Sequence, residues 1–169
     1  MQLTDRVKNC NGCAACVVAC KERCVKMNER EDESPKSIAC VLEDGCNRCN
    51  ACVLFCPLFN PVELPDFEEY YEYSEEYADR DMPKLYRKTM RDAKAGQHVE
   101  FVGTLCQIAA LKSLSGDRIR PNLILKPLWC SEEKRAADPA CAGCMFYADK
   151  EKNRSIRRKL WHLLTTKNV

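Results

Sequence analysis

Cys10, Cys13, Cys16 and Cys20 are spaced C-x-x-C-x-x-C-x-x-x-C, and Cys46, Cys49, Cys52 and Cys56 repeat the run, the second time followed by Pro57. Thiolates at this spacing suit an iron–sulfur cubane: one tight loop brings three sulfurs to three corners, and the fourth corner takes a more distant cysteine. Zinc also uses C-x-x-C pairs, but two pairs satisfy it, which leaves the third and fourth cysteine of each run unexplained. Disulfides need an oxidising compartment. The first thirty residues lack the apolar segment of a signal peptide, and no stretch approaches the roughly 18 apolar residues of a membrane helix. The expectation is a cytoplasmic protein with reduced thiols and no membrane span.

Residues 1–62 resemble the bacterial-type two-cluster ferredoxin. Lys21 stands where that pattern usually has proline, and Ala14, Ala15, Asn50 and Ala51 stand where it often has glycine. In such ferredoxins the last cysteine of each run serves the other cluster. The resemblance therefore implies one [4Fe–4S] cluster on Cys10, Cys13, Cys16 and Cys56, and a second on Cys46, Cys49, Cys52 and Cys20. Cys24 and Cys40 fall outside both sets and read as small packed hydrophobes.

Four further cysteines lie downstream: Cys106, Cys130 and the pair Cys141 and Cys144 in CAGC. Cys106 falls in the first turn of an expected helix, where amide donors and the helix dipole favour thiolate. Alone, these four admit a third cubane, a four-cysteine zinc site or a thiol redox pair. The stretch GTLCQIAALK is similar to the GTPCQIAGL signature of the coenzyme F(420) hydrogenase/dehydrogenase beta-subunit family, with Leu105 in place of proline. NLILKPLWCSE and CAGCMFY resemble that family's later segments in the same order. The resemblance implies a third [4Fe–4S] cluster on Cys106, Cys130, Cys141 and Cys144. It also implies electron passage to a flavin, FAD or FMN, which would lie near Gly103 and Thr104. Family members continue well past this element, whereas here only 25 residues follow Cys144, so the chain reads as a short version. No G-x-G-x-x-G loop is present.

These thiols must be positioned by a modest chain. Of 169 residues, 46% are apolar, but fourteen of those are cysteines and only 8% of the chain is aromatic, so bound clusters must replace part of the core. The N-terminal repeat predicts, in each half, a strand-like piece (residues 1–3 and 38–42) and a short helix through the last three cysteines. Residues 63–82 form an acidic, tyrosine-bearing linker. Over residues 83–169, a helix at 83–95, a strand at 98–102, a helix at 105–114 and a strand at 123–128 follow the grammar of a parallel α/β unit. A basic amphipathic helix is expected at 153–167. The fold class is α+β: a pseudo-twofold ferredoxin-like domain followed by a small α/β region.

A net charge of +2 does not point to nucleic acid. His98 and His162, the only histidines, read as surface or packed side chains. The function expected is single-electron relay by an oxidoreductase subunit rather than a complete enzyme. Its partner would be a redox protein, either a flavoprotein or a hydrogenase/dehydrogenase-type subunit. A flavin-dependent oxidoreductase and a zinc-stabilised structural or regulatory module are the alternatives.

Overall fold

The computed structural model describes residues 10–31, 34–73, 75–78, 80–116, 119–142 and 144–146. The strand expected at 1–3 and the basic helix expected at 153–167 lie outside them.

The two cysteine runs share one local geometry. In each, an asparagine after the first cysteine accepts from the amide of the second: Asn11 Oδ1 from Cys13 N at 3.2 Å, and Asn47 Oδ1 from Cys49 N at 3.1 Å. The residues flanking the second cysteine are left-handed, Gly12 and Ala14 in the first run (φ 71° and 61°), Arg48 and Asn50 in the second (φ 56° and 60°). Three of these four are not glycine, a conformation that costs about 1–2 kcal/mol per residue. Gly12 also admits no side chain, since a Cβ there would meet Ser37 O at 2.9 Å. Because Ala14 and Asn50 are left-handed, the helices begin only after them: α1 spans Ala15–Ala19 and α2 spans Ala51–Leu54. They are shorter than helices through the last three cysteines.

Between them, β1 (Val25–Asn28) pairs antiparallel with β2 (Ile38–Val41), Val25 opposite Val41. Val25 and Met27 alternate with the exposed Lys26 and Asn28, the period of a half-buried strand. After this hairpin and α2 the chain runs through the acidic stretch. Tyr71 there forms a parallel bridge with Leu128: its N–H donates to Pro127 O at 2.9 Å, and its carbonyl accepts from Trp129 N at 2.7 Å. A short α3, Glu75–Ala78, follows.

Helix α4 (Met82–Lys94) begins where Asp81 Oδ1 accepts from Lys84 N, with Pro83 in its first turn, and ends before the left-handed Gly96. β3 (Val99–Thr104) leads directly into α5 (Leu105–Leu114), and β4 (Leu123–Leu128) returns parallel to β3 with Val99 opposite Leu123. At the β3–α5 turn, Gln107 Oε1 accepts from Thr104 N at 2.9 Å. A Cβ on Gly103 would meet that same oxygen at 2.9 Å. Helix α5 is buried on nearly every side, as an apolar-all-round helix must be. A final short helix, α6, covers Glu132–Ala137.

The fold is α+β. Its main core packs Tyr86, Phe101, Ile108 and Leu111 together, with the Tyr86 and Phe101 rings stacked 5.8 Å apart. Cys13, Ala14 and Ala15 belong to that same core, so the first cysteine loop seats directly on the α/β region. Among the described residues, no helix is long and apolar enough to cross a membrane.

Candidate functional site

The turns and helices above gather the cysteines into three neighbourhoods. In the first, Cys13 and Cys16 are buried, and Cys10 and Cys56 half-buried. Burial pushes the Cys16 thiol up to about 12, and the charges of Cys10 and Cys56 add to the effect. Burial likewise raises Cys56, with Cys10 beside it. Cys13 is raised well above its ordinary value, first by burial and then by Cys106, Cys56 and Cys16. Cys13 thus faces thiols on two sides.

In the second, Cys20, Cys46, Cys49 and Cys52 line a cavity of about 20 Å³, and Cys24 lines it too. The Cys20 and Cys24 sulfurs are 3.3 Å apart. That contact, with burial and Cys46, raises Cys24 to about 12. Burial works to raise Cys20 as well, but the Cys24 thiol and the amides of Cys24, Val25 and Glu22 outweigh it and hold Cys20 below its ordinary value. Cys24 is thus buried, as a packed hydrophobe would be, and it is also a fifth thiol at this cavity. Its four-residue spacing from Cys20 was the signal. Cys40 lies on β2 opposite Lys26.

In the third, Cys106, Cys130, Cys141 and Cys144 line a cavity of about 460 Å³. Thr104 Oγ1 and Cys106 Sγ are 3.1 Å apart. Burial raises Cys130 to about 12, with Cys106 next in effect. Cys144 is raised by burial and then by Cys106. Cys141 is raised by burial against the pull of Lys36, whose Nζ donates to Cys141 Sγ at 2.8 Å. Burial would lower the Lys36 ammonium, but Cys106, Cys141 and Asp138 together hold it above its ordinary range. Asp138 is itself fixed by Ser34, whose hydroxyl donates to Oδ1 at 2.6 Å, and by Ala140 N at 2.9 Å. Lys36 and Asp138 have no signal in the sequence: nothing local marks a lysine after the first hairpin strand as a neighbour of CAGC.

Among the described residues, no three metal-binding side chains converge as they would around a single ion. The thiols stand around spaces rather than a point, and the donor sets are sulfur alone, the choice of soft-ligand centres. Among the described residues, two buried donors that share surroundings with Cys13, Asn11 Nδ2 and Tyr86 Oη, have no partner. All-thiol sets with spare donors close by fit a sulfur-rich cluster, whose sulfurs accept hydrogen bonds.

Ketoisovalerate oxidoreductase subunit VorC of Methanothermobacter marburgensis is 29% identical to the chain over 55 residues, 32% of this chain and 70% of VorC. The chain is similar to an oxidoreductase subunit. No protein-family model and no solved structure matches it. The likeness of GTLCQIAALK and CAGCMFY to the F(420) beta-subunit family rests on those motifs alone.

Proposed function

We propose that the chain is an iron–sulfur electron-transfer subunit of an oxidoreductase. Cys10, Cys13, Cys16 and Cys56 would hold one [4Fe–4S] cluster, Cys46, Cys49, Cys52 and Cys20 a second, and Cys106, Cys130, Cys141 and Cys144 a third. Such clusters supply reversible one-electron exchange. The observation that carries the reading is the gathering of these thiols from distant parts of the chain, with Cys56 among the first run and Cys20 among the second. The similarity to VorC, a subunit of a larger enzyme, supports a redox partner.

The protein's own residues do three things in this reading. The left-handed turns at Gly12 and Arg48 give the two cysteine loops the same backbone course. Burial of Cys13 in the main core and of Cys16 in the smaller cluster beside β1 keeps water from those two thiols, and Lys36 holds positive charge at the third set. The second set lies nearest solvent: Cys49 is exposed and Leu54, on α2, is 61% exposed. That face is where a partner would exchange electrons with the chain.

Iron and acid-labile sulfide measured on anaerobically purified protein test the reading. About twelve irons per chain fit three cubanes, and about eight would leave the C-terminal cysteines to another task. Zinc without sulfide would sink it. In low-temperature EPR, Cys106→Ala should lose one signal only. The F(420) beta-subunit motifs favour a second reading, a flavin-dependent oxidoreductase; FAD or FMN in the same sample would carry it.

A further inference from the structure

Among the described residues, the two buried side-chain polar atoms without a partner are Asn11 Nδ2 and Tyr86 Oη. Asn11 is 3% exposed and Tyr86 wholly buried, so water does not relieve either. Orphaned buried donors are rare in folded proteins because each costs about as much as a lost hydrogen bond. Here both flank the same residue. The Asn11 carbonyl oxygen accepts from Cys13 N, which ties this side chain to the Cys13 loop, and Asn11, Cys13 and Cys106 all line the third cavity. Tyr86, on α4, shares the core with Cys13 and stands beside both Cys13 and Cys106. Its ring stacks on Phe101, with centroids 5.8 Å apart, inside the main core.

A neutral thiol is a weak acceptor, whereas a cluster-bound thiolate is a strong one. We propose that the Tyr86 hydroxyl and the Asn11 amide donate to sulfur at Cys13 in the cluster-loaded protein, and that the Cys13–Cys106 junction is where electrons cross between the first and third clusters. The proposal rests on the electron-relay reading above and assigns Tyr86 as a positioning residue. A donor aimed at a ligand sulfur favours the reduced, more negative state, so removing it lowers the potential of that cluster.

The test is an EPR-monitored redox titration of full-length, anaerobically purified protein and its Tyr86→Phe variant. Signals are assigned by which one disappears in Cys10→Ala, Cys46→Ala and Cys106→Ala. A wild-type protein lacking three clusters overturns the relay reading and this proposal with it. With three clusters loaded, Tyr86→Phe should shift the first cluster's reduction equilibrium about tenfold toward the oxidised form, roughly 59 mV for one electron. The third should shift less and the second not at all. No shift, or an equal shift of all three, overturns the proposal while leaving the relay reading intact. Should Tyr86→Phe lose clusters, wild-type protein grown with 3-fluorotyrosine decides instead. Its more acidic hydroxyl should raise the first cluster's potential, and an unchanged value refutes the assignment.

Discussion

Lys36 and Cys141 stand 105 residues apart in the chain, and the lysine ammonium donates to the cysteine sulfur at 2.8 Å. The lysine lies just ahead of β2, in the N-terminal repeat, while the cysteine belongs to the C-terminal set. A cation from one half thus sits on a thiol of the other.

Replacing Lys36 should therefore be felt at the third set and nowhere else. Lys36→Met removes a charge-assisted hydrogen bond of about 1.5–3 kcal/mol. In a redox titration it should lower the potential of the cluster proposed on Cys106, Cys130, Cys141 and Cys144 by about 60 mV or more, at 59 mV per tenfold for one electron. Lys36→Arg should restore most of the difference. Equal potentials in Lys36→Met and wild type would remove Lys36 from the site.

Ser34 and Asp138 make a second tie across the same boundary, buried and 2.6 Å long. Ser34→Ala leaves the Asp138 carboxylate with Lys36 and Ala140 N, and should cost about 1–2 kcal/mol in urea unfolding. Asp138→Ala strips partners from Ser34, Lys36 and Ala140 together, and should cost about 2–4 kcal/mol. If neither variant moves the midpoint, the tie carries no stability.

Arg48 is exposed and left-handed, with φ 56°. Arg48→Gly relieves that backbone cost but loosens the unfolded chain, for a net gain of about 0.5–1 kcal/mol. A higher thermal midpoint with unchanged iron content is the expected result. A lower midpoint would show that the arginine side chain contributes more than its backbone costs.

The buried thiols make stability without metal fall at high pH. Cys16 has an ordinary value of 9.0 when unfolded and about 12 when folded. A raised value means the folded state keeps its proton longer than the unfolded chain. Its contribution is therefore complete below pH 9 and is lost between pH 9 and about 12, as the unfolded form gains by ionising. One pH unit above 9 this amounts to about 1 kcal/mol for Cys16 alone. Urea melts of metal-free protein at pH 7.5 and 10 should show the drop, smaller in Cys16→Ala. For the same reason, cluster assembly, which must displace those protons, should improve as pH rises from 6.5 to 8.5.

What was legible in the sequence was local. Gly103 and Thr104 before the apolar run of 105–114 mark a strand-to-helix turn, and α5 occupies those ten residues; Pro83 and Gly96 bracket α4 in the same way. The strand β1 is only four residues long and lies between Cys24 and a charged stretch, too short for its alternation of Val25 and Met27 to stand out. The helices through the cysteines were overdrawn because nothing in the letters Ala14 or Asn50 announces a left-handed backbone. The bridge from Tyr71 to Leu128, and Lys36 at Cys141, are pairings across more than fifty residues. They depend on how the finished elements stack, which no local pattern encodes.

The seating of Cys13, Ala14 and Ala15 against Tyr86, Phe101 and Ile108 bears on how the protein is made. The cysteine loop leaves the ribosome first, but the surface that covers it is translated roughly 70–95 residues later. At about 5–20 residues per second, that is a wait of roughly 4–20 s. During those seconds the first thiols are open to iron, to oxidants and to one another, so the order of synthesis leaves them reachable before the core closes.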